Sequence, residues 1–337
     1  MIKDLYQREI KDLRVSVTDR CNLRCTYCMP LEKYAWIQKE EILSFEETSR
    51  LVTLFLQLGV DQVRLTGGEP LVRQDLEILV RQLSGLEGLK DLSLTTNGIY
   101  LSEKAEALAT AGLRRLNVSL DSLNPERYHL MTQRGDVKKV IDGLFIVRRL
   151  GFHPIKINMV VERGTNDMDL LDMAEFCREN EFSLRFIEYM DVGNTNHWGS
   201  EKMVSKQEIL ERIHSRYPLI EVGRNRGTAP AVEYRYADGK ADIGVIASVT
   251  EPFCSSCTRA RITADGKLVT CLFSETGHDL KRLLRSGASD QELLASIRSV
   301  WEHRSDRYSD ERLRAMNSPK GYDPSERKKI EMISLGG

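Results

Sequence analysis

The sequence predicts an α/β protein built on an incomplete TIM-type (β/α)6 barrel, followed by a C-terminal α+β region. Between residues 12 and 190, short β-rich runs alternate with amphipathic helical patterns, which is typical of a parallel sheet with right-handed crossovers. The repeats lack the glycine fingerprint of a dinucleotide-binding fold. One face of the predicted strands is also polar. A flat, doubly wound sheet is the alternative that the alternation leaves open.

Six strands and the helices between them are predicted in order along the chain. The strands are expected at 13–19, 61–67, 92–98, 114–121, 154–162 and 183–190. The helices are expected at 45–59, 73–85, 102–112, 137–151 and 167–180. Several of these helical patterns end at a glycine, which adopts the left-handed conformation of a helix C-terminus at little cost.

The polar face of the strands predicts an open lumen. Its members stand at alternate positions along each strand: Arg14, Ser16 and Thr18; Arg64 and Thr66; Ser93 and Thr95; Asn117 and Ser119; Lys156 and Asn158. Branched apolar residues normally fill the interior of a closed parallel barrel. A polar interior therefore indicates incomplete closure and a water-accessible lumen, unless these residues lie at strand ends and face solvent.

After Met190 the pattern changes to a loop-like segment that runs to Ser205, and we divide the chain into domains at 1–200 and 201–337. A helix is expected over 205–217, and shorter β runs follow at 232–238, 241–247, 260–265 and 267–273. The dipeptide Asp265-Gly266 predicts a β-hairpin between the last two runs.

Charge and composition exclude several classes of function. The chain has 49 Lys plus Arg against 50 Asp plus Glu in 337 residues, so it lacks the positive field of a non-specific nucleic-acid binder. Its first residues are charged and form no apolar signal segment, and no run approaches the ~20 apolar residues that span a bilayer. We expect a cytoplasmic protein without nucleic-acid or membrane partners, in which local arginines hold any anionic substrate.

Six of the seven cysteines fall into two compact groups, which favours metal binding. The groups are Cys21, Cys25 and Cys28, and Cys254, Cys257 and Cys271. In a chain without an export signal, closely spaced thiols are more often metal ligands than disulfides. The seventh, Cys177, lies in an amphipathic helical pattern and is expected to pack as a small buried apolar residue.

The first group follows the first predicted strand with the spacing Cys-x3-Cys-x2-Cys. Three thiolates can hold three irons of a [4Fe-4S] cluster and leave the fourth iron for S-adenosylmethionine. A structural zinc would need a fourth Cys or His, and none lies in this loop. The spacing, with Tyr27 before the third cysteine, resembles the radical S-adenosylmethionine signature. Gly67-Gly68-Glu69, after the second strand, resembles the loop that meets the cofactor in that superfamily.

The second group again offers three thiolates without an adjacent fourth ligand. It is compatible with a second cluster that has an open iron, or with a zinc closed by a distant histidine such as His278. Arg259 and Arg261 lie between these cysteines and share one face of a strand. Guanidinium groups bind phosphate through paired hydrogen bonds, so this face suits a phosphorylated ligand.

Over essentially its whole length the sequence resembles the GTP 3′,8-cyclase family, which performs the first step of molybdenum cofactor biosynthesis. The motifs that carry the resemblance are TDRCNLRCTYCMP, LTGGEP, LTTNG, NVSLD, KIN, FIEYMDVGN, CSSCTRAR and the terminal Gly-Gly. The resemblance implies a 5′-deoxyadenosyl radical that removes the 3′ hydrogen of GTP. Attack of the C3′ radical on guanine C8, followed by reduction of the resulting aminyl-type radical, then gives the 3′,8-cyclo-7,8-dihydro nucleotide.

The resemblance also implies roles for individual residues. Those roles are a first [4Fe-4S] cluster on Cys21, Cys25 and Cys28; S-adenosylmethionine contacts from Tyr27, Gly68, Ser119 and Met190; a second [4Fe-4S] cluster on Cys254, Cys257 and Cys271 that holds guanine; GTP contacts from Arg14, Arg64, Thr95, Lys156, Arg259, Ala260 and Arg261; and catalytic participation of Arg14, Arg259, Arg261, Gly336 and Gly337. The implied partners are a flavodoxin or ferredoxin type electron donor, the downstream cyclic pyranopterin monophosphate synthase and a second copy in a homodimer.

Two other functions fit parts of the pattern. One is a different radical S-adenosylmethionine enzyme with an auxiliary cluster, acting on a peptide or another small molecule. A peptide substrate would depend little on Arg259 and Arg261, whereas a nucleoside triphosphate would depend on them strongly. The other is a non-enzymatic metal-binding or electron-transfer protein, which would leave the polar lumen unexplained.

Overall fold

A computed structural model describes residues 2–29, 34–194 and 196–336 of the chain. Its strands are β1 (Asp12–Ser16), β2 (Gln62–Thr66), β3 (Asp91–Thr96), β4 (Arg115–Ser119), β5 (Ile155–Val161), β6 (Ser183–Glu188), β7 (Leu219–Gly223), β8 (Val232–Tyr236), β9 (Asp242–Ile246), β10 (Arg259–Ile262), β11 (Lys267–Val269) and β12 (His278–Asp279). Its helices are α1 (Phe45–Leu58), α2 (Leu76–Ser84), α3 (Leu101–Thr110), α4 (Pro125–Thr132), α5 (Val137–Arg149), α6 (Leu170–Glu179), α7 (Lys206–Arg216), α8 (Leu280–Arg285), α9 (Asp290–Glu302), α10 (Tyr308–Met316) and α11 (Met332–Leu335).

Strands β1 to β6 are parallel and lie side by side in chain order. A doubly wound sheet reverses its strand order at a switch point, and no reversal occurs here. The six predicted strands and the partial-barrel fold are therefore confirmed, and no strand end differs from its predicted position by more than three residues.

The C-terminal region extends this sheet at both ends. Strand β9 pairs parallel with β6, and β10 pairs parallel with β1. The expectation of a separate small β region missed these pairings, because a short β run does not reveal which distant strand it joins. Strand pairing thus crosses the division between residues 200 and 201. The predicted hairpin is confirmed, since β10 pairs antiparallel with β11 around Asp265-Gly266.

Local sequence explains where the helices begin and end. Ser44 accepts a hydrogen bond from the Glu47 backbone, and the Glu47 carboxylate accepts one from the Ser44 backbone, so a capping box starts α1. Gly59 ends the same helix in the left-handed conformation, at φ 113°. Helix α4 was not predicted, because its short length gives little apolar periodicity; Asn124 caps its first turn.

The apolar core lies between the helices and the outer face of the strands. Leu13, Val15, Leu65 and Leu94 are at most 1% exposed, and the alternation that buries them turns their polar neighbours inward. Cys177 is buried in α6, as predicted.

No helix in the described parts of the chain is long and apolar enough to cross a membrane.

Candidate active site

The inner face of the strands borders one large cavity. Its strand residues include Arg14, Arg64, Thr95, Asn117 and Asn158, which confirms the predicted polar lumen. Among the described residues, Thr95 Oγ1 is buried without a hydrogen-bond partner. A buried hydroxyl without a partner is costly, so this oxygen is available to a ligand.

The second cysteine group forms one wall of this cavity. Cys254, Cys257 and Cys271 all line it. Arg259 and Arg304 each donate a hydrogen bond to Cys257 Sγ, at 3.3 and 3.2 Å. Burial alone would raise the pKa of the Cys257 thiol, but these two guanidinium groups lower it to about 6. The site therefore favours the thiolate, which is the form that binds metal.

Arg304 was missed by the sequence reasoning. It is 4% exposed and also donates to the Cys257 carbonyl at 2.8 Å. It follows α9 in a polar stretch of sequence, and no motif or spacing marks it. Tertiary packing brings it to the cysteine group: the end of α9 is tied to the first residues of the chain, where Trp301 Nε1 donates to Arg8 O at 3.1 Å and Leu5 N–H donates to Arg304 O at 3.4 Å.

The lumen has a high density of positive charge. Arg14, Arg64, Arg259 and Arg261 line the cavity together. Burial and the neighbouring guanidinium groups lower the pKa of Arg261 to about 9 and that of Arg14 well below its ordinary value. Confined like charges of this kind are stabilised by a bound anion.

Arg185, on β6, is a further lumen cation that the sequence reasoning missed. It lines the cavity and forms an ion pair with Glu233 at 2.7 Å. The inward alternation of β6 was a signal that could have identified it, because Arg185 stands two residues from Ile187, which also lines the cavity.

Lys156 lies in a second cavity, at the amino ends of the strands. The two cavities share Arg14, Arg64, Arg185 and Arg259 in their walls. Burial and the nearby Arg185, Arg115 and Arg64 lower the pKa of Lys156 to about 7. The two cavities therefore offer an elongated anionic ligand one continuous cationic lining.

The first cysteine group occupies the loop after β1. Burial raises the pKa of Cys21 to about 11 and that of Cys28 to about 12, and metal coordination would deprotonate both thiols. Among the described residues, no three His, Cys, Asp or Glu side chains surround a single ion position. A [4Fe-4S] cube takes each thiolate on a different iron, so its ligands need not converge on one point.

Tyr27 links the first cysteine loop to the cavity. Its side chain lines the cavity, and its hydroxyl donates a hydrogen bond to Asp121 Oδ2 at 2.7 Å. The other oxygen of Asp121 accepts one from the Val160 backbone at 2.9 Å. Asp121, which follows β4, thus fixes the tyrosine against β5.

The glycine pair after β2 packs against the chain that leads into Cys21. Gly68 N–H donates to Thr18 O at 2.7 Å, and a Cβ at Gly68 would overlap the backbone of Arg20. Glu69 N–H donates to Arg20 O at 2.7 Å. Glycine is therefore required here for close backbone approach, independently of any ligand.

The C-terminal residues also reach the lumen. The carbonyl of Gly336 accepts a hydrogen bond from Arg261 at 2.7 Å. Gly336 has φ 72° and ψ 144°, and a Cβ there would overlap the Thr66 side chain. Both its conformation and its surroundings therefore require glycine. Gly337 lies outside the described residues.

The structure brings most of the predicted site residues together at the main cavity. Those that line it are Arg14, Tyr27, Arg64, Thr95, Ser119, Met190, Cys254, Cys257, Arg259, Arg261 and Cys271. Those that do not line it are Cys21, Cys25, Cys28, Gly68, Lys156, Ala260 and Gly336, of which Lys156 lines the second cavity. The Ala260 side chain packs in the core, because Arg259 and Arg261 take the inward positions of β10. His278 is exposed and hydrogen-bonds to Ser296 at 2.7 Å.

Comparisons with known proteins agree with this arrangement. Residues 15–177 match the Radical SAM superfamily, and residues 182–310 match Molybdenum Cofactor Synthesis C. The fold is similar to that of Streptococcus suis SuiB bound to S-adenosylmethionine, with a TM-score of 0.61 at 15% identity over 97% of this chain and 78% of that chain. The match of residues 15–177 to the Radical SAM superfamily, together with the cysteine loop and the partial barrel, defines a radical S-adenosylmethionine protein, a class that uses a [4Fe-4S] cluster and S-adenosylmethionine.

Full-length relatives narrow the class. A Mycobacterium tuberculosis protein named GTP 3′,8-cyclase 1 is 46% identical over 93% of this chain and 88% of its own length. GTP 3′,8-cyclases of Acidothermus cellulolyticus and Staphylococcus saprophyticus are 43% and 42% identical, and each comparison covers 100% of this chain and 99% of the relative. The chain belongs to the GTP 3′,8-cyclase family.

Proposed function

We propose that this protein converts GTP to (8S)-3′,8-cyclo-7,8-dihydroguanosine 5′-triphosphate, the first step of molybdenum cofactor biosynthesis. The observation that carries the proposal is a single cavity lined by Tyr27 of the first cysteine loop, by the second cysteine group and by seven arginines. A nucleoside triphosphate needs strong cationic neutralisation at one end and specific contacts at its base. This cavity offers both.

The first cysteine group fits the cluster of the radical S-adenosylmethionine class. Cys21, Cys25 and Cys28 would hold it, leaving one iron for the cofactor. When bound and reduced, the cluster and S-adenosylmethionine supply a 5′-deoxyadenosyl radical able to remove the 3′ hydrogen of GTP. Tyr27, Gly68, Ser119 and Met190 are proposed to contact the cofactor; three of the four line the cavity.

Cys254, Cys257 and Cys271 are proposed to hold a second [4Fe-4S] cluster whose open iron binds guanine. Their position in the cavity wall supports this role, because a closed structural zinc has no position for a ligand. His278, the alternative fourth ligand, is engaged at the surface by Ser296. The N-terminal 200 residues would then supply the radical, and residues 201–337 would hold the base.

The arginines are proposed to catalyse by positioning. Arg14, Arg64, Thr95, Lys156, Arg259 and Arg261 would bind GTP, together with the backbone of Ala260. Fixing the triphosphate orients the ribose, so that the 3′ hydrogen and guanine C8 meet the reacting groups in turn. Gly336 and Gly337 would complete the site: the first is held by Arg261.

Membership of the cyclase family supports the proposals on partners and location. We propose a flavodoxin or ferredoxin type electron donor, a cytoplasmic location and a homodimer. The product would pass to cyclic pyranopterin monophosphate synthase.

An anaerobic activity assay tests the proposed function. The reconstituted protein is incubated with S-adenosylmethionine and dithionite, either with GTP, with GDP or without nucleotide. Mass spectrometry then measures 5′-deoxyadenosine and the nucleotide products. GTP-dependent 5′-deoxyadenosine together with a new GTP isomer is expected. Formation of 5′-deoxyadenosine without a nucleotide product would remove GTP as substrate and leave a radical enzyme acting on another molecule. No cleavage by an iron-replete protein would favour a non-enzymatic role.

A further inference from the structure

A buried charge cluster joins the C-terminal segment to the wall of the main cavity. Its centre is Asp191, which lies between two cavity-lining residues, Met190 and Val192. Lys329 Nζ donates to Asp191 Oδ2 and to the Asp191 carbonyl, both at 2.8 Å. Arg312 donates to the other carboxylate oxygen. The three residues are at most 3% exposed.

Two tyrosine hydroxyls also donate hydrogen bonds to Asp191. Tyr308 lies on α10, and Tyr322 lies in the C-terminal segment, by which we mean residues 317–336. Both hydroxyls donate to Oδ2. One buried carboxylate thus receives hydrogen bonds from the helix α10 and from the segment that follows it. Separating the partners of a buried ion pair is costly, because it leaves a charge without compensation, so this cluster favours the arrangement in which Asp191 keeps its partners.

A second contact fixes the backbone of the segment beside Lys329. Asn194 Oδ1 accepts a hydrogen bond from Lys329 N–H at 2.8 Å, and Asn194 Nδ2 donates to the Lys329 carbonyl at 2.6 Å. Both the side chain and the backbone of Lys329 are therefore tied to the loop after β6. Beyond this point the chain continues through α11 to Gly336 and its contact with Arg261.

We propose that Lys329 is a positioning residue that anchors the C-terminal segment to Asp191 and thereby holds Gly336 against Arg261 in the active site. The role in catalysis rests on the proposed function, whereas the anchoring does not. Other polar ties also hold the described residues between Lys329 and Gly336: Ile330 N–H donates to Ser274 O at 2.9 Å, Asn194 Nδ2 donates to Glu331 Oε1 at 2.7 Å, and Ser334 Oγ contacts Tyr34 Oη at 2.7 Å. Loss of the anchor should loosen the segment.

Lys329→Met is the informative substitution. It removes the ammonium group and keeps the length of the side chain. Asp191 then retains Arg312 as a partner of opposite charge, so the cluster loses its excess cation without stranding the carboxylate. Asp191→Asn would instead leave two buried cations unpaired and would threaten folding. Lys328→Met is the matched control, because Lys328 is the exposed neighbour.

The experiment uses the reconstituted holoenzyme and two readouts. Hydrogen–deuterium exchange of C-terminal peptides reports anchoring, and kcat and KM for GTP report positioning. For Lys329→Met we expect at least tenfold faster exchange confined to residues 330–336 and at least a tenfold lower kcat. Iron content and 5′-deoxyadenosine formation without nucleotide should match those of Lys328→Met. Asn194→Ala, which leaves the buried cluster intact, should loosen the same peptides to a smaller degree.

The outcomes separate the inference from the proposed function. C-terminal exchange equal to that of Lys328→Met would overturn the anchor, and faster exchange with an unchanged kcat would overturn the positioning role. If Lys329→Met raises exchange throughout the barrel, Asn194→Ala decides: unchanged C-terminal exchange in that variant overturns the anchor. If the wild type forms no cyclised product while Lys329→Met still shows faster C-terminal exchange, the proposed function is wrong and the anchor is supported.

Discussion

Neighbouring charges shift the pKa values of single residues in the lumen. Lys156 is the clearest case: burial and the guanidinium groups of Arg185, Arg115 and Arg64 lower its pKa to about 7, and Glu233 opposes them only in part. A bound triphosphate reverses this balance, because its negative charge favours the ammonium form. Nucleotide binding above neutral pH should therefore take up a proton at Lys156.

We expect the KM for GTP of the wild type to rise as pH increases above 7, by up to about tenfold per pH unit. Below pH 7 the ammonium is already present, so KM should be flat with respect to this group. Lys156→Met should have a higher KM at pH 6.5 and a weaker dependence on pH. Phosphate ionisation affects both proteins alike, so the difference between their pH–KM profiles isolates Lys156. Parallel profiles would contradict the assignment.

Arg259 combines two roles, and Arg259→Ala tests its part in cyclisation. It faces the lumen and also donates to Cys257 Sγ at 3.3 Å. We expect Arg259→Ala to lower kcat/KM for GTP by about 100-fold, since a charged donor to the substrate is lost. 5′-Deoxyadenosine should still form from S-adenosylmethionine, because the first cysteine group lies elsewhere. Undiminished cyclisation, assayed by product mass spectrometry, would refute the role.

At the scale of elements, glycines decide how closely loops approach. The Gly67-Gly68 loop lies against residues 18–20, and Gly336 lies against Thr66 at the end of β2. The loop and the C-terminal segment therefore meet at one place beside β1 and β2. A side chain at either position would need backbone or a buried residue to move.

Gly336→Ala tests this close approach. The added methyl group would overlap Thr66 and would have to adopt φ 72°, so the terminal residues should leave the site. We expect about a 100-fold lower kcat for cyclisation with unchanged iron content, since small misplacements near reacting atoms are costly. Gly321→Ala is the control, because Gly321 has φ 76° and nothing within 4 Å of an added Cβ. Equal kcat values for the two variants would argue against a role for the terminal glycine.

At the scale of the whole molecule, the N-terminal residues and the C-terminal region form one unit. Asp4 pairs with Arg8 at 2.6 Å and with Arg304 at 3.4 Å, and all three are at most 5% exposed. Arg8 donates to the Cys254 carbonyl at 2.7 Å, and Arg304 donates to Cys257. The second cysteine group is therefore held by the first residues of the chain as well as by its own loop.

Asp4→Asn should destabilise the protein, because it leaves Arg8 and Arg304 as buried cations without their shared carboxylate. We expect a loss of about 3–5 kcal/mol in the free energy of unfolding, measured by urea denaturation. Asp242→Asn breaks an exposed pair with Arg235 and should cost only about 0–1 kcal/mol. Similar urea midpoints for the two variants would show that the buried cluster does not support the fold.

Much of this protein could be predicted from its sequence because the relevant signals are local. The alternation of strand and helix patterns predicted the six parallel strands, and period-two alternation predicted the polar lumen. The Cys-x3-Cys-x2-Cys spacing indicated the radical class. The resemblance of its motifs led to the family, which full-length relatives bear out.

The tertiary structure decided which distant parts meet. Strand β10 pairs with β1 and β9 with β6, so the second cysteine group faces the same lumen as the first strands. Arg304 reaches Cys257 and Lys329 reaches Asp191 across 47 and 138 residues of sequence. Local patterns depend on the geometry of one strand or helix. These long-range contacts depend on how the finished sheet packs against the chain ends, and no short-range periodicity encodes that packing.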